Sequence, residues 1–207
     1  MGIDIRSKTK IDIDRDSSGE AAEVLALAFE DDPFIRYLFP GQADISRVRQ
    51  LFHFICESRL ELEWPLIGTA SEGKLTGVAC VSMPEKKKWP PALTGKYEIL
   101  QSSIGDISAN RMSRFSKLSQ KYAPKQSHCY LAVLGIHPEF QERGLGAVLV
   151  DAVGKMSESH PESTGVFLET AKQANVTFYE HFGYRLVAKD KLDDIVDFWY
   201  MFRPNKA

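Results

Sequence analysis

Apolar residues recur along the chain with two periods, one typical of strands and one typical of helices. Alternating or continuous apolar runs predict strands at residues 3–14, 66–70, 75–83, 129–136, 166–170, 184–188 and 198–202. Apolar positions at helical spacing predict helices near residues 20–29, 48–56, 145–156 and 175–182. Strands alternate with helices in the middle of the chain, which indicates an α/β (α+β) fold with one mixed central sheet.

Residues 85–127 interrupt this series of strands. They open on a loop rich in lysine and proline at 86–91, and the rest predicts two helices. Such a segment is too short to bury a core of its own, so we expect a helical insertion between the third and fourth strands. The whole chain, 1–207, is then expected to form a single domain.

Composition and charge exclude several classes of function. The chain has 207 residues, 43% of them hydrophobic, and a net charge of −2, which disfavours a nucleic-acid partner. Its cysteines, Cys56, Cys80 and Cys129, show no zinc or redox spacing, so we expect no metal and a reducing, cytoplasmic location. No targeting segment is visible, and no apolar stretch approaches the ~18 residues of a membrane span.

The candidate chemistry lies in a glycine-rich turn between the fourth strand and the helix that follows it. Its sequence, from Gln141 to Gly146, is Gln-Glu-Arg-Gly-Leu-Gly. A helix N-terminus offers unpaired N–H groups and partial positive charge, which suits a phosphate. A dinucleotide fingerprint would need glycine at Leu149, and a P-loop would need Lys-Ser/Thr directly after Gly146, so both of these phosphate-binding motifs are excluded.

A Gln-x-x-Gly-x-Gly turn after a strand that ends in Ile-x-Pro resembles the coenzyme A motif of the Gcn5-related N-acetyltransferase (GNAT) superfamily. Residues 175–184, Asn-Val-Thr-Phe-Tyr-Glu-His-Phe-Gly-Tyr, are similar to a second segment of that family. Together the two motifs cover about residues 128–190, the expected cofactor-binding core. Short matches at 128–131, 168–170 and Asn175 resemble a small-molecule branch, that of puromycin N-acetyltransferase.

The resemblance implies a mostly antiparallel sheet flanked by helices, with acetyl-CoA as co-substrate. The cofactor-binding residues that it implies are Leu134, Gly135, Ile136, Gln141, Glu142, Arg143, Gly144, Leu145, Gly146, Ala147, Asn175 and Tyr179. In the family the fourth strand carries a bulge near its end, and Gly135 suits a bulge. The alternative for Gly135 is close packing of the backbone against the next helix. Glu142 would repel phosphate, so its side chain is expected to point to solvent.

Two residues are candidates for proton transfer. In the family, the residue that matches Tyr179 is a general acid for the leaving thiolate, and the alternative is a buried aromatic in the core. Glu169, at the end of the fifth strand, is a candidate general base for the amine or a partner in a structural hydrogen bond. His128 titrates in a suitable range, but a lone histidine at the start of a strand is more often structural.

Other polar residues leave open alternatives. Lys172 stands where the family often has a cofactor-contacting asparagine, and it reaches a phosphate or is simply solvated. Asp31 and Asp32 border the acceptor site or merely cap the turn at Pro33. The basic residues of the insertion share one helical face, which we expect to be solvated rather than to bind acids: Arg111, Arg114, Lys117, Lys121 and Lys125.

The sequence therefore predicts transfer of an acetyl group from acetyl-CoA to a primary amine of a small molecule. The insertion and the aromatic segment 34–39 would shape the acceptor pocket. The alternatives are acetylation of a peptide or protein amine, and a non-catalytic acyl-CoA sensor. We expect no membrane partner, and a monomer or homodimer.

Overall fold

Seven strands form one sheet in the computed structural model, which describes residues 10–41 and 45–206. In chain order they are β1 (Lys10–Asp12), β2 (Leu66–Ser71), β3 (Lys74–Ser82), β4 (Cys129–Ile136), β5 (Gly165–Thr170), β6 (Arg185–Leu192) and β7 (Val196–Pro204). Their order across the sheet is β1-β2-β3-β4-β5-β7-β6. The mixed α/β prediction is confirmed. Of the predicted first strand, residues 3–9 with Ile3 and Ile5 lie outside the described residues.

The helices are α1 (Ser18–Ala28), α2 (Pro33–Leu38), α3 (Ile45–Glu61), α4 (Pro91–Ile104), α5 (Asp106–Tyr122), α6 (Leu145–Ser159) and α7 (Gln173–Glu180). Helices α4 and α5 lie between β3 and β4, as the interrupted strand series predicted. Most of the aromatic segment 34–39 lies in helix α2. This helix begins at Pro33, and the side chain of Asp32 caps it by accepting a hydrogen bond from the amide of Phe34.

Every pair of neighbouring strands is antiparallel except β4 and β5. These two run parallel and pair only at Cys129 with Val166 and at Tyr130 with Phe167. Beyond those positions the two strands are no longer hydrogen-bonded to each other, and the sheet opens between them. The opening exposes the ends of both strands, where ligands of such sheets commonly bind.

The two faces of the sheet are covered by different helices. On one face, Ala79 and Val81 of β3 pack in a cluster with Leu149 of α6. On the other, the alternate residues Val78 and Cys80 pack among residues of α1 and α3. An aromatic cluster on this second face includes Phe167, Tyr200 and Tyr37, with Phe115 and Tyr130 packed against it. Because strand residues alternate between faces, α6 and α7 lie on one side of the opening and α1 to α3 with α5 on the other.

The last hairpin is longer than its sequence pattern indicates. The predicted strand at 184–188 is in fact β6, which continues to Leu192. Asp193 and Asp194 then form the turn to β7 at φ values of 51° and 57°. Glycine or asparagine usually supplies such left-handed positions, so two aspartates gave no turn signal.

Candidate active site

The opening between β4 and β5 leads into a cleft of about 780 Å³. The end of α1, the end of β4, the turn before α6 and the start of α7 border it. Its lining includes all the predicted cofactor residues except Arg143: Leu134, Gly135, Ile136, Gln141, Glu142, Gly144, Leu145, Gly146, Ala147, Asn175 and Tyr179. Seven further residues also line it: Ala28, Phe29, Asp32, Phe140, Lys172, Ala174 and Phe178.

The glycine-rich turn, residues 141–146, forms one end of this cleft. Gly144 is the N-cap of α6 and has φ 77° and ψ 10°, a left-handed conformation that glycine adopts without strain. Gln141 donates from Nε2 to the carbonyl oxygen of Ile136 at 3.2 Å, which ties the turn to the end of β4. The amides of the first helical turn have no acceptor within the helix, and the helix dipole adds partial positive charge. This end of the cleft can therefore hold an anion.

The two charged residues of the turn, Glu142 and Arg143, differ in their surroundings. Glu142 is exposed at φ 60° but also lines the cleft, so its solvent-facing orientation stays a prediction. Arg143 donates from Nη2 to the carbonyl oxygen of Glu139 at 2.8 Å, and its guanidinium lies 5.0 Å from the ring centre of Phe140. Arg143 must leave these contacts before it can reach a phosphate in the cleft.

The bulge in β4 lies at Ala132, and the expectation of a bulge at Gly135 is wrong. Cys80 pairs with Val133 and Val81 pairs with Leu131, so Ala132 is the extra residue, whereas Gly135 pairs regularly with Val78. Glycine is needed at 135 because a Cβ there would lie 2.9 Å from Ala28 Cβ and from Leu25 Cδ2. The packing alternative therefore holds, but against α1 rather than against the helix that follows.

Tyr179 lines the cleft on the face covered by α6 and α7. The side chain is only 8% exposed and packs against the rings of Phe178 and Tyr184, with ring centres 5.2 and 5.4 Å away. Burial raises the pKa of Tyr179 well above its ordinary value, so the phenol is protonated at neutral pH. A protonated phenol in the cleft can donate a hydrogen bond or a proton.

Glu169 lies on the opposite face and does not line the cleft itself. Its Oε1 accepts a hydrogen bond of 2.5 Å from the hydroxyl of Tyr130, while Oε2 is buried without a hydrogen-bond partner. Burial raises the pKa of Glu169 to about 7, against the opposing effects of the hydrogen bond from Tyr130 and of the nearby hydroxyl of Ser119. Both readings of Glu169 therefore have support: it makes a structural hydrogen bond, and it titrates where a general base should.

Comparison with known proteins shows what this chain is similar to. Residues 120–202 match the family model described as an acetyltransferase (GNAT) domain. A structure described as histone acetyltransferase HPA2 and related acetyltransferase, from Corynebacterium glutamicum, has a TM-score of 0.69 at 20% identity, covering 97% of this chain and 98% of that one. Arylalkylamine N-acetyltransferase 2 from Aedes aegypti has a TM-score of 0.69 at 11% identity, covering 96% and 99%. Residues 120–202 are thus similar to a GNAT acetyltransferase domain, and the whole chain shares the fold of these two structures.

A curated relative of this chain is a much longer protein. A probable serine/threonine-protein kinase of Dictyostelium discoideum is 23% identical over an alignment of 206 positions, which covers 88% of this chain and 21% of the relative. The chain thus spans about a fifth of the length of that relative.

Asp32 and Lys172 are cleft residues of the GNAT fold whose roles the sequence left open. Asp32 is 7% exposed, caps α2 and lines the cleft, so the capping role and the place beside the cleft both hold. Lys172 Nζ lies 3.9 Å from Asp32 Oδ2 across the cleft. Burial raises the pKa of Asp32, an effect opposed by the Phe34 amide and by Lys172. Asp31 instead is exposed and pairs with Arg36.

Asn175 is held at the cleft by its neighbours on the chain. Its Nδ2 donates to Thr170 Oγ1 at 3.0 Å, and the same oxygen accepts from the amide of Lys172 at 3.3 Å. Thr170 therefore connects the end of β5 to the first turn of α7. This contact fixes the side of the cleft on which Tyr179 lies.

The basic face of α5 is largely exposed, as expected from the sequence, but some of its residues also contact other elements. Arg114 forms a salt bridge of 3.1 Å with Asp193, and Lys121 forms one of 3.0 Å with Asp190, both on the last hairpin. Arg111 donates to the carbonyl oxygen of Tyr37 and lies over its ring. The acidic partners come from residues 190–193, about 70 positions away in sequence, which helical periodicity cannot reveal.

His128 also lies outside the lining of the cleft. Its Nδ1 is 2.7 Å from the carbonyl oxygen of Gln126, and its ring packs edge-on against Phe167. Across residues 10–41 and 45–206, no cluster of three or more His, Cys, Asp or Glu residues is arranged to hold a metal ion. Within the same ranges, no helix is long and apolar enough to cross a membrane.

Proposed function

We propose that this GNAT domain transfers the acetyl group of acetyl-CoA to a primary amine of a small molecule, by direct attack on the thioester through a tetrahedral intermediate. One observation carries the proposal. At the opening between β4 and β5, an unpaired strand edge, the free amides of a helix N-terminus and a buried, protonated tyrosine line the same cleft. These are the groups that bind, align and protonate a thioester substrate.

The cleft fits acetyl-CoA in its chemistry. The amides before and in the first turn of α6, residues 142–147, suit the pyrophosphate. Beyond Tyr130 the edge of β4 that faces β5 has no strand partner, so the backbone of residues 134–136 is free to pair with the amides of the pantetheine arm. A free N–H on this edge would also stabilise the oxyanion that forms on the thioester oxygen.

Tyr179 is the proposed general acid. An unperturbed phenol has a pKa of ~10 and a thiol of ~8.5, so proton transfer to the thiolate is uphill by a small amount. Burial raises the pKa of Tyr179 further. The same burial also raises the proton affinity of a thiolate in the cleft, so the difference between donor and acceptor stays small enough for a hydrogen-bonded transfer.

Glu169 is the proposed general base, acting directly or through water. Its raised pKa of about 7 leaves a large fraction ionised at neutral pH while keeping it basic enough to take a proton from an ammonium. Because Glu169 and Tyr179 lie on opposite faces of the sheet, the amine would approach from one face and the thioester from the other. Such an arrangement keeps the acid and the base apart, on the two sides of the opening between β4 and β5.

Aromatic side chains cover the face of the sheet proposed for the acceptor, and this cover favours a small acceptor. Phe34 of α2 packs on Phe115 of α5 and on Phe198, with ring centres 4.4 and 5.4 Å apart. This aromatic cover supports an enclosed acceptor site rather than an open groove. The similar fold from Aedes aegypti is named for arylalkylamines, whereas that from Corynebacterium glutamicum is named for histones. A protein amine is the second candidate acceptor.

Calorimetry with acetyl-CoA tests the proposal. Wild type should bind acetyl-CoA, and Gly146→Trp should abolish binding, because a Cβ at Gly146 already lies 3.4 Å from the Phe178 ring and the bulky side chain would enter the cleft. Gly95→Trp is the matched control, since no atom lies within 4 Å of a Cβ at that site on α4. Absence of binding by the wild type overturns the proposal. Binding without turnover of any amine would instead identify a sensor.

A further inference from the structure

Among the residues that the structure describes, no acidic side chain forms a salt bridge with Arg59. It lies in the last turn of α3, and its Nε is buried without a hydrogen-bond partner. Burial lowers the pKa of Arg59, and the titratable groups that oppose this are Cys80, Tyr130 and Cys56. No carboxylate is among them within the described residues 10–41 and 45–206. Arg59 as a whole is half-buried, but a buried guanidinium nitrogen without an acceptor is costly, and proteins usually pair such a group.

A second unpaired donor lies against the first. The guanidinium of Arg59 is 5.4 Å from the ring centre of Trp64, and the indole Nε1 of Trp64 is also buried without a partner. The carbonyl ends of α3 supply only a fraction of a negative charge. Two adjacent donors, one of them cationic, and no acceptor for either form the donor set of an anion-binding site.

The same neighbourhood holds an unpaired acceptor. Tyr130 is close enough to Arg59 for each to shift the other's pKa, and its hydroxyl donates to Glu169. The second carboxylate oxygen of Glu169, Oε2, is buried without a partner. Tyr130 therefore links the neighbourhood of an unsatisfied cation to that of an unsatisfied carboxylate oxygen. All three side chains lie on the face proposed for the acceptor.

We propose that the acceptor is an amino carboxylate, whose carboxylate binds Arg59 with the Trp64 indole while its amine faces Glu169. This inference rests on the proposed function, since it names the substrate class of the same site. The guanidinium fork suits the two oxygens of a carboxylate, and Glu169 Oε2 suits an ammonium. Tyr130 acts as the spacer between the two charged ends.

One other counter-charge competes with a ligand carboxylate. A hydrogen bond from Cys56 lowers the pKa of Cys80, and the charge of Arg59 lowers it further. If Cys80 were a thiolate in the folded protein, Arg59 would already be neutralised. Thiolate absorbance in the near ultraviolet, compared between wild type and Cys80→Ala at neutral pH, decides this point. A thiolate signal that Cys80→Ala removes would overturn the proposal.

Matched amines provide the main test. Phenylalanine is compared with phenethylamine, and ω-amino acids from glycine to aminohexanoate are compared with n-alkylamines of the same length. Wild type should prefer the carboxylate member of at least one pair by roughly 10–100-fold in kcat/KM, the effect of one charge-assisted contact. The length of the best ω-amino acid reports the separation between Arg59 and the reacting amine.

Arg59→Met should remove this preference by raising KM for the amino carboxylate, because the lost contact binds the substrate and not the reacting atoms. Arg59→Lys keeps the charge but not the fork, and should restore the preference in part. Arg49→Met is the matched control, since Arg49 lies on the same helix and bonds only to Glu23 on the surface. Turnover of amines with no carboxylate preference in wild type rejects this inference alone. Absence of acetyl-CoA binding rejects the proposed function beneath it.

Discussion

The two sides of the cleft differ in how their residues are distributed along the chain. The side assigned to the cofactor comes from consecutive residues, 134–147 and 172–179, on β4, α6 and α7. The side assigned to the acceptor gathers single residues from distant elements, such as Arg59, Tyr130 and Glu169. The first side is set by local turn and helix geometry. The second exists only once α3, α5 and the last hairpin have packed.

This difference explains what the sequence could predict. A strand, a left-handed Gly144 and a helix N-terminus are local features, so the turn was predictable to the residue. The mixed sheet and the helical insertion followed from periodicity. The cation Arg59 gave no signal, because nothing in the sequence tells a buried arginine without a partner from the surface arginines of the same amphipathic helix.

The largest effect is expected on the cofactor side, at Tyr179. Tyr179→Phe should lower kcat by roughly 10²–10³-fold, the usual contribution of a general acid, with acetyl-CoA affinity nearly unchanged. Tyr184→Phe is the control, because its hydroxyl is buried beside Tyr179 without a partner and its loss should leave kcat intact. Stopped-flow or steady-state release of the CoA thiol measures both. An unchanged kcat in Tyr179→Phe assigns Tyr179 to the core.

On the acceptor side, the largest expected effect is a pH-dependent stability from Glu169. The pKa of Glu169 is raised from 4.5 to about 7 in the folded protein, so the folded state holds a proton that the unfolded state has lost. The free energy of unfolding should therefore fall as pH rises through this window, by about 2–3 kcal/mol. Glu169→Gln keeps the shape and removes the titration.

Urea unfolding of wild type and Glu169→Gln, at about pH 5 and about pH 8, measures this contribution as the difference between the two proteins. The variant should gain stability relative to wild type at the higher pH. Equal pH dependence in both proteins would mean that Glu169 titrates near its ordinary value and is not a base poised near neutrality.

Errors in the sequence analysis share a physical cause. Gly135 was expected to form a bulge, but the bulge lies at Ala132. Glycine is needed at 135 because side chains of α1 pack closely against its backbone. The strand β6 was expected to end early because the Asp193-Asp194 turn lacks the usual turn residues. Each missed feature depends on a partner or a turn geometry that the local sequence does not specify.

Gly135→Ala tests the contact that places α1 against the cleft. The added Cβ would lie 2.9 Å from two side chains of α1, so the free energy of unfolding should drop by about 1–3 kcal/mol. Gly95→Ala should change stability in the opposite direction by about 0.5–1 kcal/mol, because it adds helix propensity in open space. Thermal unfolding of the two variants compares them. A neutral Gly135→Ala would show that α1 moves aside at little cost.

The smallest effect is expected where α5 docks on the last hairpin. Arg114→Gln removes a bridge to Asp193, whose carboxylate also accepts from the Tyr37 hydroxyl at 2.5 Å, and should cost about 0.5–1 kcal/mol of unfolding free energy. Lys155→Gln breaks an exposed pair with Asp151 within one helix and should have no measurable effect. Raised salt should weaken the Arg114 contribution. If both variants behave alike, the bridge from Arg114 to Asp193 adds nothing measurable, and α5 is held in place by aromatic contacts such as that of Phe34 with Phe115.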